Sequence, residues 1–155
     1  MKLSISLLSI KNRLEFIKKI NDYDIDYIHI DVMDNTFTNN VAYSIEEINE
    51  INKISNKKLD IHLMVNDPTK YINDYATLNT EYITIHEEID VDIIEMLKLI
   101  KSYGIKCGLA IKPDTLVSDL VPYLPLLDLV LVMSVEPGAG GQKFIMESED
   151  KIKEV

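Results

Sequence analysis

The stretch Ile28-His29-Ile30-Asp31-Val32-Met33-Asp34 decides how the rest of the chain is read. It is short and rich in β-branched residues, so it reads as a buried strand. Side chains alternate faces along a strand, which places His29, Asp31 and Met33 on one side and Ile28, Ile30 and Val32 on the other. The second set is a plain apolar face suited to packing under helices. The first carries an imidazole and a carboxylate that a structural core strand avoids, and so has the chemistry of a site. Leu59 to Val65 repeats the device: His62 and Met64 share a face, flanked by Ile61, Leu63 and Val65. Two neighbouring strands that each offer a histidine, one with an aspartate beside it, can converge on a metal ion.

Working outward, strands and helices alternate. Leu3 to Leu8 reads as a first strand, followed by a helix over residues 11–21 with Leu14, Ile17 and Ile20 on one face. A polar loop, Asn35 to Asn40, follows the central strand. Ser44 and Glu47 form a capping box for a helix whose stripe is Ile45, Ile48, Ile51 and Ile54. Asp67-Pro68 opens a helix with Tyr71, Ile72 and Tyr75 inward. Tyr82 to His86 is the next strand. A helix opened by Asp90 or Asp92 carries Ile93, Leu97 and Ile100 and is ended by Gly104. Lys106 to Ile111 is a strand, and Pro113-Asp114-Thr115 starts a short helix through Leu120 and Val121. Leu129 to Val135 is apolar almost throughout, as a strand buried on both faces should be. The glycine-rich Glu136 to Gly141 leads into a helix that runs to Val155.

Alternation of this kind predicts a parallel sheet with right-handed crossovers, in one domain over residues 1–155. An open doubly wound sheet and a (β/α)8 barrel both fit, and both place function at the carboxyl ends of the strands. Ser6, Asp31, Asp34, His62, His86 and Ser134 lie at such ends on several strands, and the first strand–helix turn has no glycine. Function spread in this way favours the barrel. A barrel needs at least about 200 residues, whereas this chain has 155 and about six of the eight units. The expectation is therefore a chain truncated before strands seven and eight.

Composition narrows the function classes. Hydrophobic residues at 46% and charged residues at 27% give an ordinary globular balance, while a net charge of −10 argues against nucleic-acid and anionic-membrane partners. An anionic small molecule is not excluded, because a few backbone N–H groups outweigh distant charge. One cysteine, Cys107, rules out a disulfide framework and a cysteine-based metal site, and a reducing cytoplasm is the natural setting. The start of the chain is too short for a signal peptide, and no stretch approaches a membrane span. Cys107 reads as buried and inert, and Glu46, Glu47, Glu87 and Glu88 as caps and solvated faces; His86, pointing toward the barrel mouth, reads either as an outer partner of the site or as merely buried, with the structural role favoured.

Four motifs occur in order: S-L-L-S at Ser6–Ser9, I-H-I-D-V-M-D at Ile28–Asp34, D-I-H-L-M-V-N-D-P at Asp60–Pro68 and M-S-V-E-P-G-A-G-G-Q-K-F at Met133–Phe144. Together they resemble the ribulose-phosphate 3-epimerase family, (β/α)8-barrel enzymes of the pentose phosphate pathway. The resemblance implies interconversion of D-ribulose 5-phosphate and D-xylulose 5-phosphate by removal of the C3 proton and its return on the opposite face. It implies Asp31 as one catalytic acid/base, and His29, Asp31 and His62 as three of four ligands of a divalent metal. Zinc is foremost, with iron, manganese or cobalt as alternatives. Ser6 and His62 would contact substrate, Gly138, Ala139, Gly140 and Gly141 would close over it, and Met33, Met64 and Met133 would wall the site. Substrate would be a phosphorylated ketopentose, and the complete protein a homo-oligomer. The residue types suit that chemistry. A C3–H beside a ketone is too weak an acid for an unaided carboxylate, so a cation on the oxygens is needed, and two acid/base groups are needed to invert the centre. Methionines give a polarizable wall without hydroxyls.

The chain departs from the family pattern in places. Asn35 and Asn39 stand where glycine and proline are usual, and Ala139 where an aromatic residue is common. The family's second catalytic aspartate, also its fourth metal ligand, lies in an Asp-Gly-Gly stretch that this sequence does not contain. A hexulose-6-phosphate 3-epimerase (allulose 6-phosphate) and a non-catalytic barrel fragment are the rival readings.

Overall fold

A computed structural model describes residues 1–155. Its elements in chain order are β1 (Ser4–Ser6), α1 (Arg13–Ile20), β2 (Tyr27–Asp34), β3 (Val41–Ala42), α2 (Ile45–Ile54), β4 (Lys58–Met64), α3 (Thr69–Tyr75), β5 (Thr80–His86), α4 (Ile93–Ser102), β6 (Lys106–Ile111), β7 (Leu129–Val132) and α5 (Ser148–Glu154). The sheet runs β1-β2-β4-β5-β6-β7, parallel throughout and curled into a half-barrel, with β3 an antiparallel appendage on β2.

The alternation expected from the sequence sorts the two faces of this sheet. Ile28, Ile30 and Val32 of β2, Leu59, Ile61 and Leu63 of β4, Ile83 and Ile85 of β5, and Cys107, Leu109 and Ile111 of β6 belong to one buried cluster. Ile17 and Ile20 of α1, Ile48 and Ile51 of α2, Ile72 and Tyr75 of α3, and Ile93, Leu97 and Ile100 of α4 join it from the helices. The helices thus cover one face only. Helix starts follow their caps: Asn12, Ser44 and Asp92 accept from the backbone N–H of Glu15, Glu47 and Glu95. Gly104, at φ +74°, ends α4.

Several boundaries differ from the sequence reading. β1 is shorter than Leu3–Leu8, and β7 stops at Val132 rather than Val135. β7 is half-buried, not buried on both faces, because its single sheet neighbour is β6. The helix expected after Pro113 is instead two 3-10 turns, Val117–Leu120 and Leu124–Leu126, since Pro122 and Pro125 remove the amide protons a longer helix needs. The last helix begins at Ser148, not directly after the glycines. The expected capping box is half made: Ser44 caps Glu47 N, but the Glu47 carboxylate turns to Arg13 Nη1 at 2.6 Å. Glu47 is therefore not a solvated surface acid. Cys107 is buried and donates its thiol to Leu126 O at 3.0 Å, and burial pushes its pKa up.

Candidate metal centre

The inner face of the sheet is built by register. β2 and β4 pair so that His29 lies opposite Asp60, Asp31 opposite His62 and Met33 opposite Met64. β1 sets Ser6 beside His29, and β5 sets Thr84 beside His62. Equal alternation on adjacent parallel strands therefore brings all the polar side chains to one side.

Asp31 Oδ1 lies 3.1 Å from His29 Nε2 and 3.1 Å from His62 Nδ1, and one ligand atom from each of the three residues falls within 4.8 Å of the others. Ser6 Oγ donates to Asp31 Oδ2 at 3.0 Å. The outer ring nitrogens are committed elsewhere. His29 Nδ1–H donates to Asp60 Oδ2 at 2.8 Å, and that oxygen also accepts from Ser4 Oγ at 2.7 Å. His62 Nε2 meets His86 Nε2 at 2.8 Å, and His86 Nδ1–H donates to Glu88 Oε2 at 2.9 Å. Phe37 stacks on the His86 ring at 4.5 Å between centroids.

A carboxylate has no proton to offer, so the Asp60 contact leaves His29 Nε2 as a lone pair aimed at Asp31. An acceptor facing an acceptor at 3.1 Å calls for a cation between them. Without a metal, a proton supplies it. Burial opposes charge on His29, but the hydrogen bonds its ring donates to Asp31 and Asp60 outweigh it and push the pKa up to about 10. Burial also opposes charge on Asp31 and Asp60, yet their histidine partners hold both carboxyls below the ordinary range. His62 is fully buried and its pKa falls, chiefly for that reason; His86 falls to about 4 from the same cause. Two imidazole nitrogens and a carboxylate oxygen, with outer hydrogen bonds that hold the rings, are a donor set that suits zinc and also iron, manganese or cobalt.

A cavity of about 300 Å³ opens over Asp31, lined by Ser6, Leu8, Ser9, Met64, Met133, Val135, Glu136, Gly138, Ala139 and Gly140. The glycine loop is pinned across it: Asn40 Nδ2 donates to Gly138 O at 2.8 Å, and Gln142 Nε2 donates to the carbonyls of Glu136 and Ala139. Gly138 is at φ +124°, a conformation that favours glycine, and a Cβ there would lie 3.3 Å from Thr38 Cβ and 3.4 Å from Asn40 Nδ2, a tight fit. Asn35 adopts φ +66°, the left-handed conformation that asparagine tolerates where glycine is usual.

The structure thus gathers Ser6, Asp31, Met64, Met133, Gly138, Ala139 and Gly140 around one cavity, with His29 and His62 on Asp31 beneath it. Met33 lines a neighbouring cleft with Asp34 and Tyr71, and Gly141 is exposed beyond the cavity wall. Three contributors were missed by the sequence reading or misread there. Asp60 stands two residues before His62, so alternation alone placed it on the same face. His86, left open between a partner of the site and a buried residue, touches His62. Glu88, read as a solvated acid, instead accepts from His86, from Lys112 N and from Thr115 Oγ1.

Comparison with known proteins agrees with these motifs. The model of the ribulose-phosphate 3 epimerase family matches residues 2–155. Curated ribulose-phosphate 3-epimerases from Synechocystis sp. and Bacillus subtilis are 38% and 37% identical over 141 and 139 residues, each covering 90% of this chain. That from Chlamydia pneumoniae is 37% identical over 135 residues, covering 87%. The matches cover 61%, 64% and 59% of those relatives, so the chain spans about three fifths of their length. A solved structure, the N-terminal domain of an aldolase candidate from Bacteroides vulgatus, is 16% identical with a TM-score of 0.66 over 99% of this chain and 60% of that one, a likeness of fold alone. With four ordered motifs, a match along almost its whole length and relatives of this identity, the chain belongs to the ribulose-phosphate 3-epimerase family.

Proposed function

We propose that the protein is a metal-dependent epimerase that interconverts D-ribulose 5-phosphate and D-xylulose 5-phosphate. In this reading residues 1–155 form one domain, about six of the eight units of a (β/α)8 barrel. The observation that carries it is the convergence of His29 Nε2, His62 Nδ1 and Asp31 Oδ1 below a cavity rimmed by a glycine loop. These three residues would hold the metal, zinc foremost, which when bound supplies electrostatic stabilisation to the oxygens of a substrate losing its C3 proton.

The chain's own residues supply the rest. Asp31, whose carboxyl stays ionised, is the proton acceptor on one face. Ser6, bonded to Asp31 Oδ2, orients that carboxylate and offers a hydroxyl to substrate. Met64 and Met133 present thioethers in place of water, and Gly138, Ala139 and Gly140 bring backbone close to the bound sugar phosphate. A cavity of about 300 Å³ is at the small end of ligand sites and suits a phosphorylated ketopentose. The same reading carries a homo-oligomeric, cytoplasmic enzyme. No helix is long and apolar enough to cross a membrane.

Inversion also needs an acid/base on the opposite face, and no Asp-Gly-Gly stretch occurs in this sequence. A second reading is a barrel that binds metal without turnover, for which the His29, Asp31 and His62 cluster alone suffices. Exchange of the C3 hydrogen of D-ribulose 5-phosphate in D2O, followed by proton NMR, separates the two. Metal-dependent loss of the C3 signal is expected of the epimerase, while zinc binding with no exchange above the buffer rate supports the binding-only barrel.

A further inference from the structure

We propose that Glu88 and His86 are positioning residues that fix the tautomer of His62 and so keep its Nδ1 open to a metal ion. The proposal rests on His62 being a ligand, as read above. Glu88 lies just beyond the end of β5, and its carboxylate is held at three points. Oε1 accepts from Lys112 N at 2.6 Å and from Thr115 Oγ1, while Oε2 accepts from His86 Nδ1 at 2.9 Å. His86 is wholly buried, and Phe37 stacks on its ring.

The protons then follow one after another. A carboxylate only accepts, so the His86 proton sits on Nδ1. With one proton per ring, His86 Nε2 is an acceptor, and its 2.8 Å contact requires His62 to carry its proton on Nε2. His62 Nδ1 is left as a lone pair, 3.1 Å from Asp31 Oδ1, an oxygen that accepts from His29 Nε2–H when no metal is present, and directed to the place where His29 Nε2 also points. The opposite tautomer would put an N–H in that place, where it would donate to Asp31 and compete with the metal. His29 is set directly by Asp60, whereas His62 is set at one remove through a second imidazole.

Glu88→Gln reverses the chain of protons with little change of shape. Lys112 N and Thr115 Oγ1 hold the amide oxygen at the Oε1 position, so the NH2 group falls against His86 Nδ1. That nitrogen must now accept, His86 moves its proton to Nε2, and His62 moves its own to Nδ1. The control is Glu87→Gln, the same charge change at a neighbour outside the relay. Two readouts are needed, imidazole nitrogen NMR on the metal-free protein and Zn(II) affinity by competition with a chromophoric chelator. Glu88→Gln should switch both tautomers and weaken Zn(II) binding by roughly 10–100-fold, with Glu87→Gln unchanged in both. Wild-type tautomers in Glu88→Gln, or affinity within about twofold of wild type against that range, would overturn the relay. Should Glu88→Gln not fold, the spectrum of the unaltered chain decides: a proton on His86 Nδ1 upholds the relay and one on Nε2 overturns it. Failure of the unaltered chain to bind Zn(II) would instead overturn the metal reading, independently of those spectra.

Discussion

The two faces of the sheet share a backbone and differ in nearly everything else. On the outer face, Ile28, Ile30, Ile61, Leu63, Ile83 and Leu109 are wholly buried under helices and make one apolar cluster. On the inner face of the same strands, His29, Asp31, Asp60, His62 and His86 form a hydrogen-bonded set in which each ring nitrogen meets a carboxylate or another imidazole. Burial stabilises the first face because it removes apolar area from water. On the second, burial costs free energy that only pairing offsets. The fold is thus secured on one side of each strand, which leaves the other side free to carry groups that a core would reject.

A pair of substitutions on adjacent strands tests this division most severely. Asp31→Asn removes an inner-face ligand and is expected to lower Zn(II) affinity by more than ~100-fold, beyond the effect of losing an outer partner. Ile61→Ala, on the outer face between Ile30 and Ile83, is expected to cost about 2–5 kcal/mol of stability, with Zn(II) affinity of the folded protein little changed. Chelator competition and urea unfolding on both variants give the comparison. Equal losses of affinity in the two would show that the faces are not independent.

The outer face was legible because a period of two needs only local sequence. Ile28 to Asp34 and Leu59 to Val65 announce it, and four ordered motifs then named the inner residues. What stayed hidden depends on partners distant in the chain. Glu88 sits in an acidic Glu87-Glu88 pair that looks like surface, and it is the Lys112 amide and Thr115 hydroxyl, 24 and 27 residues on, that draw it inward. The half-burial of β7 is likewise set by the number of neighbouring strands and not by its own apolar run. β3, two residues long, has no periodicity to read.

Acid should separate the faces next, since only the inner one titrates. His86 is lowered by burial from the usual 6.5 to about 4, and His62 is lowered for the same reason. Between those values the unfolded chain binds more protons than the folded one. The contribution of the neutral rings is complete above pH 6.5 and is lost as pH falls through 4. For His86 alone this amounts to about 3 kcal/mol. His29 has the opposite sign: raised to about 10, it stabilises fully below 6.5 and loses that contribution as pH rises through 10. Urea unfolding of the metal-free chain should therefore weaken on both sides of neutrality. A flat profile between pH 7 and 4.5 would mean that His62 and His86 are not buried uncharged.

Gly108 offers the finest test, because it is an inner-face position where neither charge nor apolar burial is at stake. It stands in register between Thr84 of β5 and Leu129 of β7. A Cβ built there would lie 2.3 Å from Thr84 Oγ1 and 3.1 Å from Leu129 Cδ2. The backbone does not demand glycine, since its φ lies outside the left-handed region. Replacement by alanine should on that ground stabilise the chain by about 0.4–1 kcal/mol, through the unfolded state. The contact reverses the sign. Leu129 can swing its terminal methyl, but Thr84 is wholly buried and β-branched, with few rotamers to choose from. Gly108→Ala is therefore expected to destabilise by about 1–3 kcal/mol. In a Thr84→Ala background the oxygen is gone and the same substitution should be close to neutral. A double-mutant cycle measured by urea unfolding reads the difference as a coupling energy. Zero coupling would place the strain elsewhere, and would mean that the close approach of β5 and β6 does not set the packing beside His62.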